Sequence, residues 1–222
     1  MIITKQKDFF KILEYLKGRN NIYLFGCDSC AEQCETGGDK EVKAMAYLLK
    51  NEGKKITGFS IPAETCYSML VKKYFREDKD MIENADAFLV LACGAGVKAV
   101  ADAVGDGKPV FPALDSLYLA NVTRYGHFFE GCSLCGDCVL GETGGICPHT
   151  QCPKGLLNGP CGGMVNGKCE VNMENDCAWI VIYRRLKAQG RLGILKRIAP
   201  PKDYSNSVKP RTVVVESRMK NK

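Results

Sequence analysis

The stretch Ala87-Phe88-Leu89-Val90-Leu91-Ala92 decides the fold, because six consecutive apolar residues followed by Cys93-Gly94 predict a strand buried on both faces. Apolar residues at 22–25 and 110–111, and the stretch 55–61 that ends before Pro62, predict three more strands. Helical spacing of apolar residues predicts helices over 9–16, 41–50, 67–75 and 97–104. Strands and helices that alternate in this way indicate a parallel sheet covered by helices. We therefore predict an α/β fold that begins with a four-stranded parallel, Rossmann-like domain over residues 1–126.

Five cysteines lie in the loops that would follow these strands. Cys27 and Cys93 come directly after two of the strands, Cys66 follows a third after a short loop, and Cys30 and Cys34 come soon after Cys27. The carboxyl ends of parallel strands share one edge of the sheet, where ligands bind. The five thiols could therefore converge, and four of them could hold a metal cluster. The alternative for Cys66 and Cys93 is a small buried hydrophobic residue, a common role for cysteine.

A second, denser group of cysteines follows this domain. Eight of the chain's 13 cysteines belong to it: Cys132, Cys135, Cys138, Cys147, Cys152, Cys161, Cys169 and Cys177. Thiolates concentrated in this way either form disulfides or bind soft metals. An odd cysteine count fits poorly with a complete disulfide framework. The N-terminus carries no secretory signal, so we expect a cytoplasmic protein whose thiols stay reduced, and metal binding is favoured.

The spacing of these cysteines favours iron–sulfur clusters over zinc. Cys132, Cys135 and Cys138 form a C-x2-C-x2-C run, and bacterial ferredoxins complete such a run with a cysteine followed by proline. Cys147-Pro148 and Cys152-Pro153 both have that form. Eight thiolates match two 4Fe-4S clusters, whereas structural zinc more often uses two separated C-x2-C pairs or histidines. His149 lies among the cysteines and could be a ligand, although a loop histidine is the simpler interpretation.

Length and charge suggest how the rest of the chain is organised. A chain of 222 residues suits one medium domain, a cysteine-rich module over residues 127–182, and a helical extension with a basic tail over 183–222. The net charge is +6, and after residue 184 only Asp203 and Glu216 oppose many lysines and arginines. This tail could bind an acidic protein or an anionic cofactor, but it lacks the aromatics of a nucleic-acid-binding surface. A solvated tail is the alternative, and no segment is long enough for a membrane span.

One short motif points elsewhere. Residues 94–99 read G-x-G-x-x-A between a predicted strand and a predicted helix, and Asp115 follows about twenty residues later, which matches the loose dinucleotide fingerprint. The motif follows the third predicted strand rather than the first, and Cys93 lies in its turn. Nucleotide binding here is therefore a weaker hypothesis, and the glycines could instead leave space beside a cluster.

Longer motifs resemble a known family. Residues 152–163 read C-P-K-G-L-L-N-G-P-C-G-G, followed by G-K-C-E-V at 167–171 and D-C-A-W at 176–179. These stretches resemble the cysteine-rich methylenetetrahydrofolate reductase C-terminal family, which includes the MetV-type small subunit of the two-subunit reductases of acetogenic and related anaerobes. Residues 25–30, 36–38, 89–94 and 143–148 fit the same resemblance.

The resemblance implies an electron-transfer function. It implies that the eight downstream cysteines are ligands of 4Fe-4S clusters, two in number, or three if the N-terminal cysteines bind another. The partner would be a separate flavin-bearing MetF-type catalytic subunit that reduces methylenetetrahydrofolate in one-carbon metabolism, within the Wood–Ljungdahl pathway, and a further electron-donor protein could be involved. This chain is too short for the partner's barrel fold, which takes about 250 residues. The alternatives are a zinc-binding docking subunit of the same complex and a methyl-transfer accessory with a nucleotide site.

Overall fold

The computed structural model describes residues 1–213, which form two compact units, the first over Met1–Phe129 and the second beginning at Glu130. The strands are β1 (Ile2–Gln6), β2 (Asn21–Phe25), β3 (Lys55–Ser60), β4 (Ala87–Val90), β5 (Val110–Pro112), β6 (Leu114–Arg124) and β7 (His127–Cys132). The helices are α1 (Phe9–Tyr15), α2 (Cys30–Gln33), α3 (Asp39–Asn51), α4 (Ser68–Glu77), α5 (Lys79–Glu83), α6 (Gly94–Val104), α7 (Pro148–Gln151) and α8 (Ala178–Ala188).

The central sheet of the first unit confirms the predicted four-stranded parallel arrangement. Its strand order is β3-β2-β4-β5, and the last residue of β2, Phe25, pairs with Ser60 of β3 and with Val90 of β4. All four residues of β4 are buried, as the continuous apolar run predicts. In the core, the Phe25 ring lies 5.2 Å from that of Tyr23 and 6.4 Å from that of Phe88, between ring centroids. The buried apolar strands therefore hold the ends of β2, β3 and β4 side by side at the carboxyl edge of this sheet.

The structure also differs from the sequence prediction. A second sheet has the order β1-β6-β7, and β1 pairs with β6 in antiparallel register. These strands were not predicted, because β6 buries only Leu114 and Ala120 fully and so lacks a continuous apolar run. The apolar spacing of the predicted helix over 9–16 groups Phe10 with Ile12 and Leu16; the latter two are buried, but Phe10 is 75% exposed. The observed helices α3, α4 and α6 are each one to three residues longer at one or both ends than predicted.

The second unit has little regular structure. Among the described residues it contains the four-residue α7, the eleven-residue α8 and two short 3₁₀ turns, Leu192–Lys196 and Ser205–Ser207. The side chains of Trp179, Ile182 and Leu186 are buried on one face of α8 and pack with Cys177. Within residues 1–213, no helix is long and apolar enough to span a membrane.

Candidate metal centres

One cavity of the second unit brings together half of the downstream cysteines. Cys152, Cys161, Cys169 and Cys177 all line it, together with Pro153, Lys154, Pro160, Met164, Glu170, Val171, Ala178 and Trp179. The space between these side chains is small, about 20 Å³, which is roughly the volume that one water-sized sphere occupies. Four cysteines spread over 26 positions of sequence therefore line one cavity, although neither their spacing nor the resemblance assigned them to a common set.

A short turn presents two of these cysteines. Bridges join Val165 to Lys168 and Lys168 to Asp176, so the chain doubles back on itself. The Cys169 N–H donates to the Asn175 carbonyl at 3.0 Å, and the Cys177 N–H donates to the Gly167 carbonyl at 2.8 Å. The reversal needs backbone in the left-handed region, which Gly167 supplies with φ of +80°. Backbone pairing thus fixes the position of Cys169 relative to Cys177.

The other two cysteines of the cavity come from loops beside it. Cys152 ends α7, where its N–H donates to the Pro148 carbonyl at 3.1 Å. The Cys161 thiol is exposed, and its pKa lies below the ordinary value mainly because the Gly163 main-chain N–H donates to the sulfur, with a smaller contribution from the Lys154 ammonium. Lys154 also forms an ion pair with Glu170, another residue of the cavity wall. Both neighbours of Cys161 favour the thiolate, the form that binds metals.

Helix α8 closes the apolar side of this cavity. Cys177 is the N-cap residue, and Trp179 is 5% exposed while its indole N–H donates to the Leu156 carbonyl at 2.9 Å. That hydrogen bond satisfies the polar atom of a buried tryptophan. It also attaches the loop after Cys152 to the helix after Cys177. Trp179, Ile182 and Leu186 form the buried face of this helix, whereas Tyr183 is 44% exposed.

The C-x2-C-x2-C run directs backbone and side-chain donors at its sulfurs. The Leu134 N–H donates to Cys132 Sγ at 3.3 Å, and Leu134 adopts a φ of +57°, which is unusual for a residue with a branched side chain. Partial burial opposes ionisation of Cys135, but hydrogen bonds from Ser133 and the main chain at Asp137, together with the Lys202 ammonium, lower its pKa overall. Left-handed backbone in this run thus serves to aim an amide at a sulfur.

The Lys202 ammonium is buried beside this run. Its side chain is 1% exposed, and among residues 1–213 Nζ has no hydrogen-bond partner. The carboxylate oxygen Asp137 Oδ2 is 3.9 Å away. A buried cation is costly unless an opposite charge compensates it. The Cys135 sulfur is the neighbour that can supply this charge, provided that it is a thiolate.

Within the described part of the chain, the other four downstream cysteines do not line a common cavity. Cys138 is exposed, and Cys147 is the half-buried N-cap residue of α7. A second cavity of about 390 Å³ is lined by Ser133, Leu134, Cys135, His149, Tyr204, Ser207, Lys209 and Arg211. His149 shares a 3.2 Å hydrogen bond between its Nε2 and the Tyr204 hydroxyl. The structure therefore places α7 near Cys135, but it does not bring the thiols of Cys138 and Cys147 into this cavity.

The N-terminal cysteines separate into two groups. Cys66 is an exposed residue, but partial burial of its thiol raises the pKa, and the thiols of Cys93, Cys27 and Cys30 raise it further, in that order of effect. Cys34 points elsewhere, because its half-buried thiol donates to the Ile2 carbonyl oxygen at 3.9 Å. Four of the five predicted N-terminal candidates therefore lie near one another at the carboxyl edge of the sheet.

The G-x-G-x-x-A stretch has a packing role in the structure. A Cβ at Gly96 would lie 2.8 Å from the Ala92 Cβ and 3.3 Å from the Thr65 Cβ, so only glycine allows α6 to approach this closely. The Gly94 N–H, at the start of the helix, donates to the Ser116 hydroxyl at 2.9 Å. The close approach of Gly96 to Thr65 also brings the loop that holds Cys66 next to the helix that follows Cys93.

These cysteines fit a four-thiolate metal centre in their donor chemistry. All 13 cysteines are free, and within residues 1–213 no three His, Cys, Asp or Glu side chains converge closely enough to hold a single ion. Cys152, Cys161, Cys169 and Cys177 supply four soft sulfur donors on one cavity, the donor set of both 4Fe-4S clusters and structural zinc. The buried Lys202 ammonium fits an anionic centre at the neighbouring C-x2-C-x2-C run. Lys202 was not a candidate from the sequence, because a lysine after two prolines carries no signal of burial.

Part of the chain is similar to a known family. Residues 111–205 match the family model of the methylene-tetrahydrofolate reductase C-terminal region. The matched segment contains all eight downstream cysteines and Lys202, and it excludes the five N-terminal cysteines. No curated protein and no solved structure matches the chain. The similarity therefore associates the downstream segment, with its four-cysteine cavity, with methylenetetrahydrofolate reductase.

Proposed function

We propose that this protein is an iron–sulfur subunit of a methylenetetrahydrofolate reductase and that it delivers electrons to the flavin of a separate MetF-type catalytic subunit. The observation that carries the proposal is the cavity formed by Cys152, Cys161, Cys169 and Cys177, inside the segment similar to that reductase family. Cys132, Cys135, Cys138 and Cys147 form the second proposed ligand set. Eight thiolates in two sets of four are the ligands of two 4Fe-4S clusters.

The surroundings of the thiols suit an electron carrier. When bound, 4Fe-4S clusters supply one-electron transfer at potentials that depend on hydrogen bonds to sulfur, nearby charge and solvent exposure. The Leu134 and Gly163 amides donate to the sulfurs of Cys132 and Cys161 and so stabilise negative charge there. Lys202 and Lys154 place positive charge beside Cys135 and Cys161. The buried Trp179 indole and Met164 keep water from one side of the four-cysteine cavity.

A zinc-binding docking subunit of the same complex is the second candidate. The observation in its favour is the same cavity, because four cysteine thiolates are also the donor set of structural zinc.

Metal analysis after anaerobic purification separates the two candidates. We expect about eight iron and eight acid-labile sulfide per chain, or about twelve of each if the N-terminal cysteines bind a cluster, together with a broad visible absorption band. Cys161→Ala should lower both values by about four per chain. Cys34→Ala is the matched control, because that thiol faces the Ile2 carbonyl and lies outside the proposed sets. Stoichiometric zinc with negligible iron would contradict electron transfer and support docking.

The proposed partner can be tested by electron delivery. With the flavin-bearing subunit present, the reduced protein should bleach the flavin absorbance, and Cys161→Ala should slow the transfer while Cys34→Ala should not. Flavin reduction at the same rate without this protein would contradict the proposal. The immediate electron donor is expected to be a further protein, which the same assay can identify by its ability to reduce this subunit.

The C-terminal tail bears on docking to that partner. We propose that the basic, proline-containing segment 200–222 contacts the flavin-bearing subunit. The structure places its first part against the cysteine run of its own unit, because the Asn206 side-chain amide donates to the Gly136 carbonyl at 3.3 Å and Arg211 donates to the Leu134 carbonyl at 3.4 Å. Val214, Val215 and the rest of the tail lie outside the described residues.

The deletion that tests tail docking should therefore be short. Removing residues 212–222 spares the contacts of Asn206 and Arg211, whereas removing 203–222 would also disturb the cysteine run. We expect the shorter deletion to weaken co-purification with the flavin-bearing subunit at moderate salt while leaving the iron content unchanged. Undiminished complex formation would leave the tail without a docking role.

A further inference from the structure

The carboxyl edge of the parallel sheet gathers four cysteines that the family similarity does not cover. Cys27, Cys30, Cys66 and Cys93 all precede residue 111, where the match begins. Strands β3, β2 and β4 are neighbours in that order, and their terminal residues Ser60, Phe25 and Val90 are paired side by side. The loops that carry the cysteines therefore leave the sheet at the same level and from adjacent strands.

The loop after β2 is tightly held to the sheet. The Cys27 N–H donates to the Gly37 carbonyl at 2.9 Å, and the Asp28 N–H donates to the Pro62 carbonyl at 3.0 Å. A Cβ at Gly26 would lie 2.6 Å from the Val42 Cγ2 and 2.7 Å from the Gly37 carbonyl oxygen, so the backbone has no room for a side chain there. Cys30 begins α2 three residues after Cys27, which completes a C-x2-C pair on this loop.

The loops after β3 and β4 are fastened to the same place. The buried Thr65 hydroxyl, next to Cys66, donates to the Gly26 carbonyl, next to Cys27. Gly96 in the first turn of α6 packs against the same Thr65 side chain, and Cys93 is the N-cap of that helix. Thr65 therefore joins the three loops.

We propose that Cys27, Cys30, Cys66 and Cys93 form a further metal centre in the first unit and that it binds a 4Fe-4S cluster. The donor set consists of four thiols, as such clusters require. Neighbouring strands lie about 4.8 Å apart, so the ends of β3 and β4, on either side of β2, are about 10 Å apart. Thiols that reach inward from loops so far apart suit a multi-iron cluster, in which each cysteine binds a different iron, better than one zinc ion with bonds of about 2.3 Å.

Cys34 is excluded from this centre. It lies closer to Cys27 and Cys30 in sequence than Cys66 or Cys93 does, and sequence spacing alone would prefer it. Its position at the end of α2 turns its thiol toward the Ile2 carbonyl oxygen, at 3.9 Å. The C-x2-C-x3-C spacing of residues 27–34 is thus misleading, and the third and fourth ligands come from distant strands.

Iron analysis of the full-length protein, reconstituted anaerobically with iron and sulfide, tests this centre. Cys66→Ala and Cys93→Ala should each lower iron and acid-labile sulfide by about four per chain. Cys34→Ala, the control from the same region, should keep the wild-type content. Cys66 is exposed, so its replacement leaves the buried core intact, and circular dichroism confirms that each variant is folded.

A second variant separates this centre from the downstream ones. Cys135→Ala combined with Cys161→Ala should retain about four iron per chain, and adding Cys66→Ala should remove them. A downstream variant that retains no iron, an unchanged content in both Cys66→Ala and Cys93→Ala, or the loss of one zinc instead of iron would each overturn the proposal. If the wild-type protein holds about four iron and Cys66→Ala removes them all, this centre stands and the proposed downstream clusters fail.

Discussion

The two units of this protein differ in what can hold them together. The first has a core of 25 buried residues built on the apolar strands of its parallel sheet. Among its described residues, the second has a buried apolar cluster of four, Cys177, Trp179, Ile182 and Leu186. Burial of apolar area is the main favourable contribution to folding, and small modules without a sufficient core depend on disulfides or metals. Since every cysteine is free, the comparison predicts that the second unit depends on the proposed metal centres for its stability.

Removal of the proposed metal should have the largest effect, because it should unfold the second unit and leave the first unit folded. Metal binding contributes about 10–16 kcal/mol to the folding of small zinc-dependent modules, and a comparable dependence is expected for residues 132–177. After anaerobic chelation, hydrogen exchange should show fast-exchanging amides in that segment and retained protection in β2 and β4. Reconstitution with iron and sulfide should restore the protection. Slow exchange across residues 132–177 in the metal-free protein would show that the apolar cluster suffices.

Removing a core side chain should produce the opposite pattern. Phe88 is 1% exposed, and its ring lies 6.0 Å from that of Tyr23 and 5.8 Å from that of Phe75. Phe88→Ala should lower the free energy of unfolding of the first unit by about 3–5 kcal/mol in a denaturant titration, because it leaves a cavity. Phe10→Ala, at a site that is 75% exposed, should change it by less than about 0.5 kcal/mol. Equal effects of the two substitutions would contradict the observed packing.

Helix α6 offers a smaller test within the first unit. Gly96→Ala adds a methyl group 2.8 Å from the Ala92 Cβ, whereas Gly94→Ala in the same helix meets only the Ser116 Oγ, at 3.8 Å. Gly96→Ala should therefore destabilise the unit by about 1–3 kcal/mol, the usual cost of overpacking, and Gly94→Ala should not. Thermal melts of the two variants compare them directly. Similar melting temperatures would show that Gly96 is not needed for the contact with Thr65.

Sequence patterns were sufficient where burial is continuous. The apolar runs that became β2, β4 and β5 predicted the parallel sheet, because strands covered on both faces need no polar residues. They missed β1 and β6, where mixed apolar and polar residues give no clear period. They also grouped the exposed Phe10 with the buried face of α1, because helical spacing locates the edge of a buried face only to within about one residue.

The grouping of the cysteines could be predicted from the sequence only where regular strands position them. That Cys27, Cys66 and Cys93 lie near one another could be predicted, because the carboxyl ends of parallel strands share an edge. The grouping of Cys152 with Cys161, Cys169 and Cys177 could not, because irregular loops determine it through individual contacts such as the one between Trp179 and Leu156. Burial of Lys202 was equally hidden, since it depends on how residues after Pro201 fold back on the cysteine run.

Two lysines of the second unit should affect the potentials of the proposed clusters to different extents, because one is buried and the other is partly exposed. Lys202 is 1% exposed beside Cys135, whereas Lys154 is 40% exposed and already paired with Glu170 beside Cys161. A positive charge favours the reduced, more negative form of a cluster, and low solvent exposure strengthens that effect. Lys202→Met keeps the aliphatic length but removes the charge. We expect it to make the potential of the cluster bound by Cys135 more negative, as measured by redox titration followed by electron paramagnetic resonance.

Lys154→Met is the control, and it should shift the potential of the cluster bound by Cys161 less, because solvent screens the charge of Lys154. Equal shifts in the two variants, or no shift with Lys202→Met, would show that the buried ammonium is compensated by Asp137 rather than by the sulfur centre.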